Sequence, residues 1–222
     1  MKKILALFFI PFLPISPNLM GEELQIDQII KLDGKITVNQ DSERWLKITV
    51  PFVINQHPDK VRLDLEGRRP KKIEDLFNPD FLDGLQIKIW ISFLNEFNRS
   101  FTRGDRKDVR LFDYYSAELE CMVLEIDRKT KKAEFLFPSA VAKMNELGNY
   151  PKLTGYVVEF SRNGETFKVT DQVTFLNYDQ EEYLEKYRME AVNKSSENEG
   201  VLIPAYLISD NYLNDLGPVV RD

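Results

Sequence analysis

The chain has one cysteine, Cys121, and one histidine, His57. A lone thiol excludes an intrachain disulfide, so the fold is unstapled even in an oxidising compartment. At 222 residues it needs no staple, because a chain of this size buries roughly 70% of its unfolded surface. Cys121 falls in an apolar run at 119–126, which reads as a buried, inert thiol. One histidine leaves any His-metal cluster or Ser-His-Asp triad resting on His57 alone. Pro58 and Asp59 follow it, which places it in a loop. No G-x-S-x-G, H-E-x-x-H, C-x-x-C, glycine-rich phosphate loop or EF-hand run occurs. These gaps point away from an enzyme, and no cofactor or metal is expected. The apolar run at 4–15 is shorter than the about 20 residues of a spanning helix, and Pro11 and Pro14 interrupt it.

That run is informative in another way. Lys2 and Lys3 precede it, and residues 16–21 lead to the acidic start Glu22-Glu23. A positive n-region, a short apolar h-region and small or polar residues describe a secretory signal over residues 1–21. No cysteine stands directly after the run, so lipoprotein acylation is not expected. Export is predicted, to the periplasm, the outer membrane or the outside. Of the 30 cations, Lys2 and Lys3 lie in the signal, which leaves 28 against 36 acids, a net charge of −8. Such a surface argues against nucleic acid and anionic lipid as partners. Basic clusters at 68–72, 103–110 and 128–132 read as solvated loop charges.

Period-two alternation dominates the rest. Leu46, Ile48, Val50, Phe52 and Ile54 share one strand face. Val61, Leu63 and Leu65 repeat the pattern, and Leu85, Ile87, Ile89, Ile91 and Phe93 give its clearest instance. Further strands are predicted at 115–123, 133–137, 154–160, 166–169 and 173–176. Asn163-Gly164 predicts a tight type I′ hairpin, because both central residues there need φ > 0. Two helices are expected. One begins at Pro138 and ends at Gly148; the other runs from Asp179, its cap, to about residue 191. Residues 193–200 are small and polar and read as a linker. Many strands joined by short turns, each with one apolar face, predict a mainly β, immunoglobulin-like β-sandwich with one or two short helices and an extended C-terminal segment. The corresponding division is a signal at 1–21, the sandwich at 22–178, and a helix, linker and apolar tail at 179–222. Trp90 suits an immunoglobulin-like core weakly, since alternation puts it opposite the apolar face of its own strand and no cysteine pair accompanies it.

Two patterns bear on function. Glu118 with Glu120, and Asp64 with Glu66, are carboxylate pairs of the kind a glycosidase uses, although acids on the wet side of a sheet explain them equally. The tail is apolar again after the linker, with Val201, Leu202, Ile203, Tyr206 and Leu207, then Tyr212. It either clasps its own sandwich or adds a strand to a partner's sheet, which makes Val201, Leu202, Ile203, Tyr206, Leu207 and Tyr212 the candidate partner-binding residues.

Several segments resemble a small family of exported Verrucomicrobial proteins encoded beside type IV pilus-like and secretin genes. The carrying segments are Trp45-Leu46-Lys47-Ile48-Thr49-Val50-Pro51-Phe52, then Asn78-Pro79-Asp80-Phe81 and the strand after it. Tyr114-Tyr115-Ser116-Ala117-Glu118, Phe135-Leu136-Phe137-Pro138, Gly155-Tyr156-Val157-Val158-Glu159 and Gly200-Val201-Leu202-Ile203-Pro204 continue the order. The resemblance implies an immunoglobulin-like sandwich and a non-enzymatic envelope component, with envelope or pilus-assembly proteins as partners. It carries no site motif. The alternative is a secreted glycan-binding or glycan-cleaving domain built on exposed aromatics beside two acids.

Overall fold

The computed structural model describes residues 26–68, 72–95, 111–148, 150–212 and Leu216. The predicted signal and the basic cluster at 103–110 lie outside the described residues. The chain forms two antiparallel sheets packed as an immunoglobulin-like sandwich, as the alternation predicts. The first sheet runs β1 (Ile30–Leu32), β3 (Trp45–Ile54), β6 (Lys131–Pro138), β10 (Ile203–Pro204), with β2 (Thr37–Gln40) also paired to β3. The second runs β5 (Phe112–Glu125), β4 (Phe81–Leu94), β7 (Leu153–Arg162), β8 (Glu165–Phe167), with β9 (Val173–Phe175) also on β7.

The alternating residues meet in the middle. Ile48, Val50 and Phe52 of β3 and Phe135 and Phe137 of β6 face Leu85, Ile87, Ile89, Ile91 and Phe93 of β4, all fully buried. Aromatic rings bridge the layers, with Phe52 5.3 Å from Phe160 and Phe137 4.7 Å from Tyr115. Ile89 sits at the centre of its sheet, opposite Ala117 on one side and Val158 on the other. Asn163 at φ 52° and Gly164 at φ 80° close the β7–β8 hairpin between Arg162 and Glu165, as predicted. The two short strands β1 and β2 have no clear alternation, but one residue explains their division. Pro51 in β3 has no N–H to give the neighbouring strand, and its carbonyl accepts from Asp33 N–H at 3.0 Å. The ladder therefore breaks beside Pro51, with β1 pairing 52–54 and β2 pairing 46–49.

Among the described residues the helices are α1 (Pro58–Leu65), α2 (Ser139–Met144) and α3 (Glu181–Ser195). The strand expected at Val61, Leu63 and Leu65 is α1. Val61 is buried, whereas Leu63 and Leu65 are only partly so. Pro58 occupies the first turn, where its missing N–H costs nothing, and the imidazole of His57 caps that turn. The helix expected from Pro138 starts one residue later and closes before Gly148. Glu146 takes the left-handed conformation at φ 54°, its N–H donating to Lys143 O and Leu147 N–H to Ala142 O. This is a Schellman closure with Leu147 buried against the core. α3 is longer than predicted. Gln180, not Asp179, precedes its first turn, without a side-chain cap. The expected linker is not one: residues 193–195 are helical, and Ser196–Asn198 continue as a 3-10 turn. Tyr187, Ala191 and Ser195 recur every fourth residue and are buried, so one stripe of this polar segment is packed.

α3 lies on the outer face of the second sheet and explains Trp90. That ring points away from the sandwich interior, as alternation requires, yet is only 7% exposed, because α3 covers it together with Tyr114 and Val157.

Candidate functional site

The candidate site is the side of the sandwich closed by the tail. After the 3-10 turn at Ser196–Asn198 the chain leaves the second sheet and crosses to the first. Asn198 Nδ2 donates to Tyr114 O of β5 at 2.9 Å, which covers that carbonyl at the upper end of the strand. β10 then pairs with β6 through Ile203 opposite Leu136 and Pro204 opposite Phe135. Leu202, Ala205 and Tyr206 turn inward and are buried, and Val201 packs on the core cluster from a half-buried position. The tail thus folds back on its own chain. Of the residues named for partner docking, Leu202 and Tyr206 are turned into the core, Ile203 and Tyr212 are half-buried, and Leu207 is 51% exposed.

Beyond the 3-10 turn at Ala205–Leu207, the tail reaches the outer face of the first sheet. Tyr212 O–H donates to Asp41 at 2.6 Å, and its ring lies 5.8 Å from Lys47 Nζ. Lys47 pairs with Glu134 at 3.3 Å and reaches Asp41 at 3.7 Å. The hydrogen bond to Asp41 helps push the Tyr212 hydroxyl up to about 12, so it stays a donor throughout the physiological range. Glu134 and Leu136 lie between the core-facing residues of β6, yet both are buried. Asp41, Lys47 and Glu134 were not singled out in the sequence. They are scattered charges there, and only the register of β2, β3 and β6 brings them together.

In each carboxylate pair one acid is engaged by a cation. Glu118 pairs with Lys88 at 3.1 Å on the open face of the second sheet. Asp64 lies on α1 and Glu66 at its C-cap, where Glu66 pairs with Arg68, rather than on one strand face. No group of three metal-ligating side chains occurs among the described residues. Cys121 is fully buried, and burial pushes its thiol up to about 12, which makes it unreactive at neutral pH.

His57 is a correction. It is not a plain loop residue: it is 2% exposed and stacks on Phe77 at 4.3 Å. Its Nδ1 accepts from Asp59 N–H at 3.2 Å and so must be unprotonated. Arg162 reaches Asp59 at 3.2 Å and Asp83 at 2.6 Å, tying α1 to β4 and β7. Burial lowers the His57 pKa below 6.5, aided by Arg162, although Asp59 and Asp83 pull the other way. Below pH 6.5 the unfolded chain takes up a proton that the folded chain resists. Stability must therefore fall as pH drops from about 6.5 toward the folded pKa, by at most about 1.4 kcal/mol per pH unit. His57→Asn keeps a capping acceptor and removes the titration. Urea midpoints at pH 7, 6 and 5 should fall less steeply in this variant than in the parent; equal slopes would show that His57 does not carry the dependence.

No family model matches the chain, and no curated protein matches it. A crystal structure of a protein from Akkermansia muciniphila is similar in fold, with a TM-score of 0.53 and 12% identity. The similarity covers 87% of this chain and 94% of that one. At such low identity it shows the fold alone.

Proposed function

We propose that the chain is a non-enzymatic, exported structural or interaction protein of the bacterial cell envelope, acting within a type IV pilus-like or secretion assembly at the periplasm or outer membrane. The observation that carries this reading is the edge of the second sheet. β5 is fourteen residues long and has β4 as its ladder neighbour. No strand pairs with its other side among the described residues. Met122 is 50% and Val123 40% exposed there. A long edge with exposed apolar side chains is a template for strand addition by a partner. The resemblance of the sequence to Verrucomicrobial exported proteins supports the envelope setting. So does the secretory layout of the first residues. No helix among the described residues is long and apolar enough to cross a membrane.

A photo-crosslinking residue in place of Met122 tests this in the native host. The expected products are adducts with envelope or pilus-assembly proteins in the periplasmic or outer-membrane fraction, and a chain starting near Glu22. A chain with Met1 intact in the cytosol, or an edge that yields no envelope adduct, would count against the proposal.

A further inference from the structure

We infer that the surface at the start of α3, formed by Leu176, Tyr178 and Tyr183 with Asp179, Glu181 and Glu182, docks a basic segment of a partner protein. An arginine or lysine side chain would sit over the tyrosine rings.

The aromatic part is preset. Tyr178 and Tyr183 are 48% and 46% exposed, with rings 5.1 Å apart. Behind them Phe175 stacks on Tyr178 at 5.9 Å and on Tyr187 at 4.4 Å. Tyr187 is buried and hydrogen-bonded to Ser92 at 2.9 Å. The exposed rings therefore rest on a column rooted in the sheet, and little ordering remains to be done on binding.

Leu176 adds an apolar side chain where the backbone disfavours one. It sits at φ 52° in a turn closed by Tyr178 N–H donating to Phe175 O at 3.0 Å. Glycine or asparagine suits that conformation better. The leucine is 43% exposed, so burial within the chain returns little. Against a partner, it can cover the methylene stem of a lysine or arginine.

The charge selects the partner. Asp179, Glu181 and Glu182 are exposed, and none has a cationic partner among the described residues. Glu181 and Glu182 complement the start of α3, but that end carries only about half a positive charge. Three carboxylates outweigh it, so the local field is negative. The faces of the tyrosine rings present the same sign to a ligand. Both features attract a cation and repel phosphate or carboxylate.

Titration of the 15N-labelled protein by NMR tests the inference. The probe is a peptide of three alternating glycine–arginine units; its controls are the same peptide with neutral citrulline and, separately, chitohexaose. The arginine peptide should give saturable shifts confined to residues 176–183. Combining Tyr178→Ala and Tyr183→Ala should weaken it by about tenfold, the product of two cation–π contacts. The citrulline peptide should bind more weakly still. Both tyrosines are half exposed, so the variant should keep the circular dichroism of the parent. Shifts spread over the acidic surface and indifferent to the tyrosines would overturn the inference, as would no binding at millimolar peptide. Saturation by chitohexaose in place of the peptide would also overturn it and assign the surface to glycan.

Discussion

Gly155→Ala is expected to destabilise the protein by about 3 kcal/mol, the upper end of an overpacked core. A Cβ at this position would lie 2.6 Å from Thr174 O and 2.7 Å from Tyr187 Cζ. Neither can retreat easily. Thr174 is backbone of β9, paired to β7 opposite Tyr156. Tyr187 is stacked on Phe175, and its hydroxyl is tied to Ser92, which also bonds Thr154 at 2.9 Å. The added methyl would push α3 off the sheet and uncover Trp90. Equilibrium urea unfolding gives the size, and the fluorescence maximum should move red as Trp90 meets water. A double-mutant cycle with Tyr187→Ala sharpens the test. Removing the ring relieves part of the clash, so the double variant should cost at least about 1 kcal/mol less than the sum of the singles. Additive effects would mean that Tyr187 does not oppose Gly155.

Removing residues 201–222 should cost still more, about 4–6 kcal/mol. Burying Leu202 and Tyr206 is worth about 1.5–3 kcal/mol each at these side-chain sizes. The deletion also strips β10 from β6 and exposes Leu136. Against a usual domain stability of about 5–15 kcal/mol, the truncated chain should be close to unfolding at 37 °C. Thermal unfolding followed by circular dichroism decides it. A melting temperature within a few degrees of the parent would mean that the tail is not a clasp, and its apolar residues would then be free for a partner.

The sheets were legible because their cores lie on one face of each strand. Alternation is clearest in β4, where Leu85, Ile87, Ile89, Ile91 and Phe93 all reach the interior. What alternation cannot tell is what covers the other face. Trp90 and Tyr114 were visible as aromatics, but their burial depends on α3, which comes far later in the chain. The misread strand at 61–65 has a local cause. Residues 61 and 65 are four apart, so they also satisfy a helical stripe, and a histidine is an uncommon cap. The misread linker has a compositional one. Asn193, Ser195 and Ser196 look like loop residues, whereas the spacing of Tyr187, Ala191 and Ser195 carries the helix onward. The tail's apolar character was evident. Its seat was not, since Asp41, Lys47 and Glu134 become neighbours only through strand register.

The position of β10 also sets an order of events during synthesis. β4, β5 and β7 lie before residue 163, so most of the second sheet can pair while later residues are still being made. The edge of β6 must wait for residues 203 and 204, and the core for Tyr206. Until the ribosome has added those residues, the nascent chain carries an uncapped strand and an open apolar seam. The sandwich is therefore closed only when nearly the whole chain has been made, and the two sheets come together last.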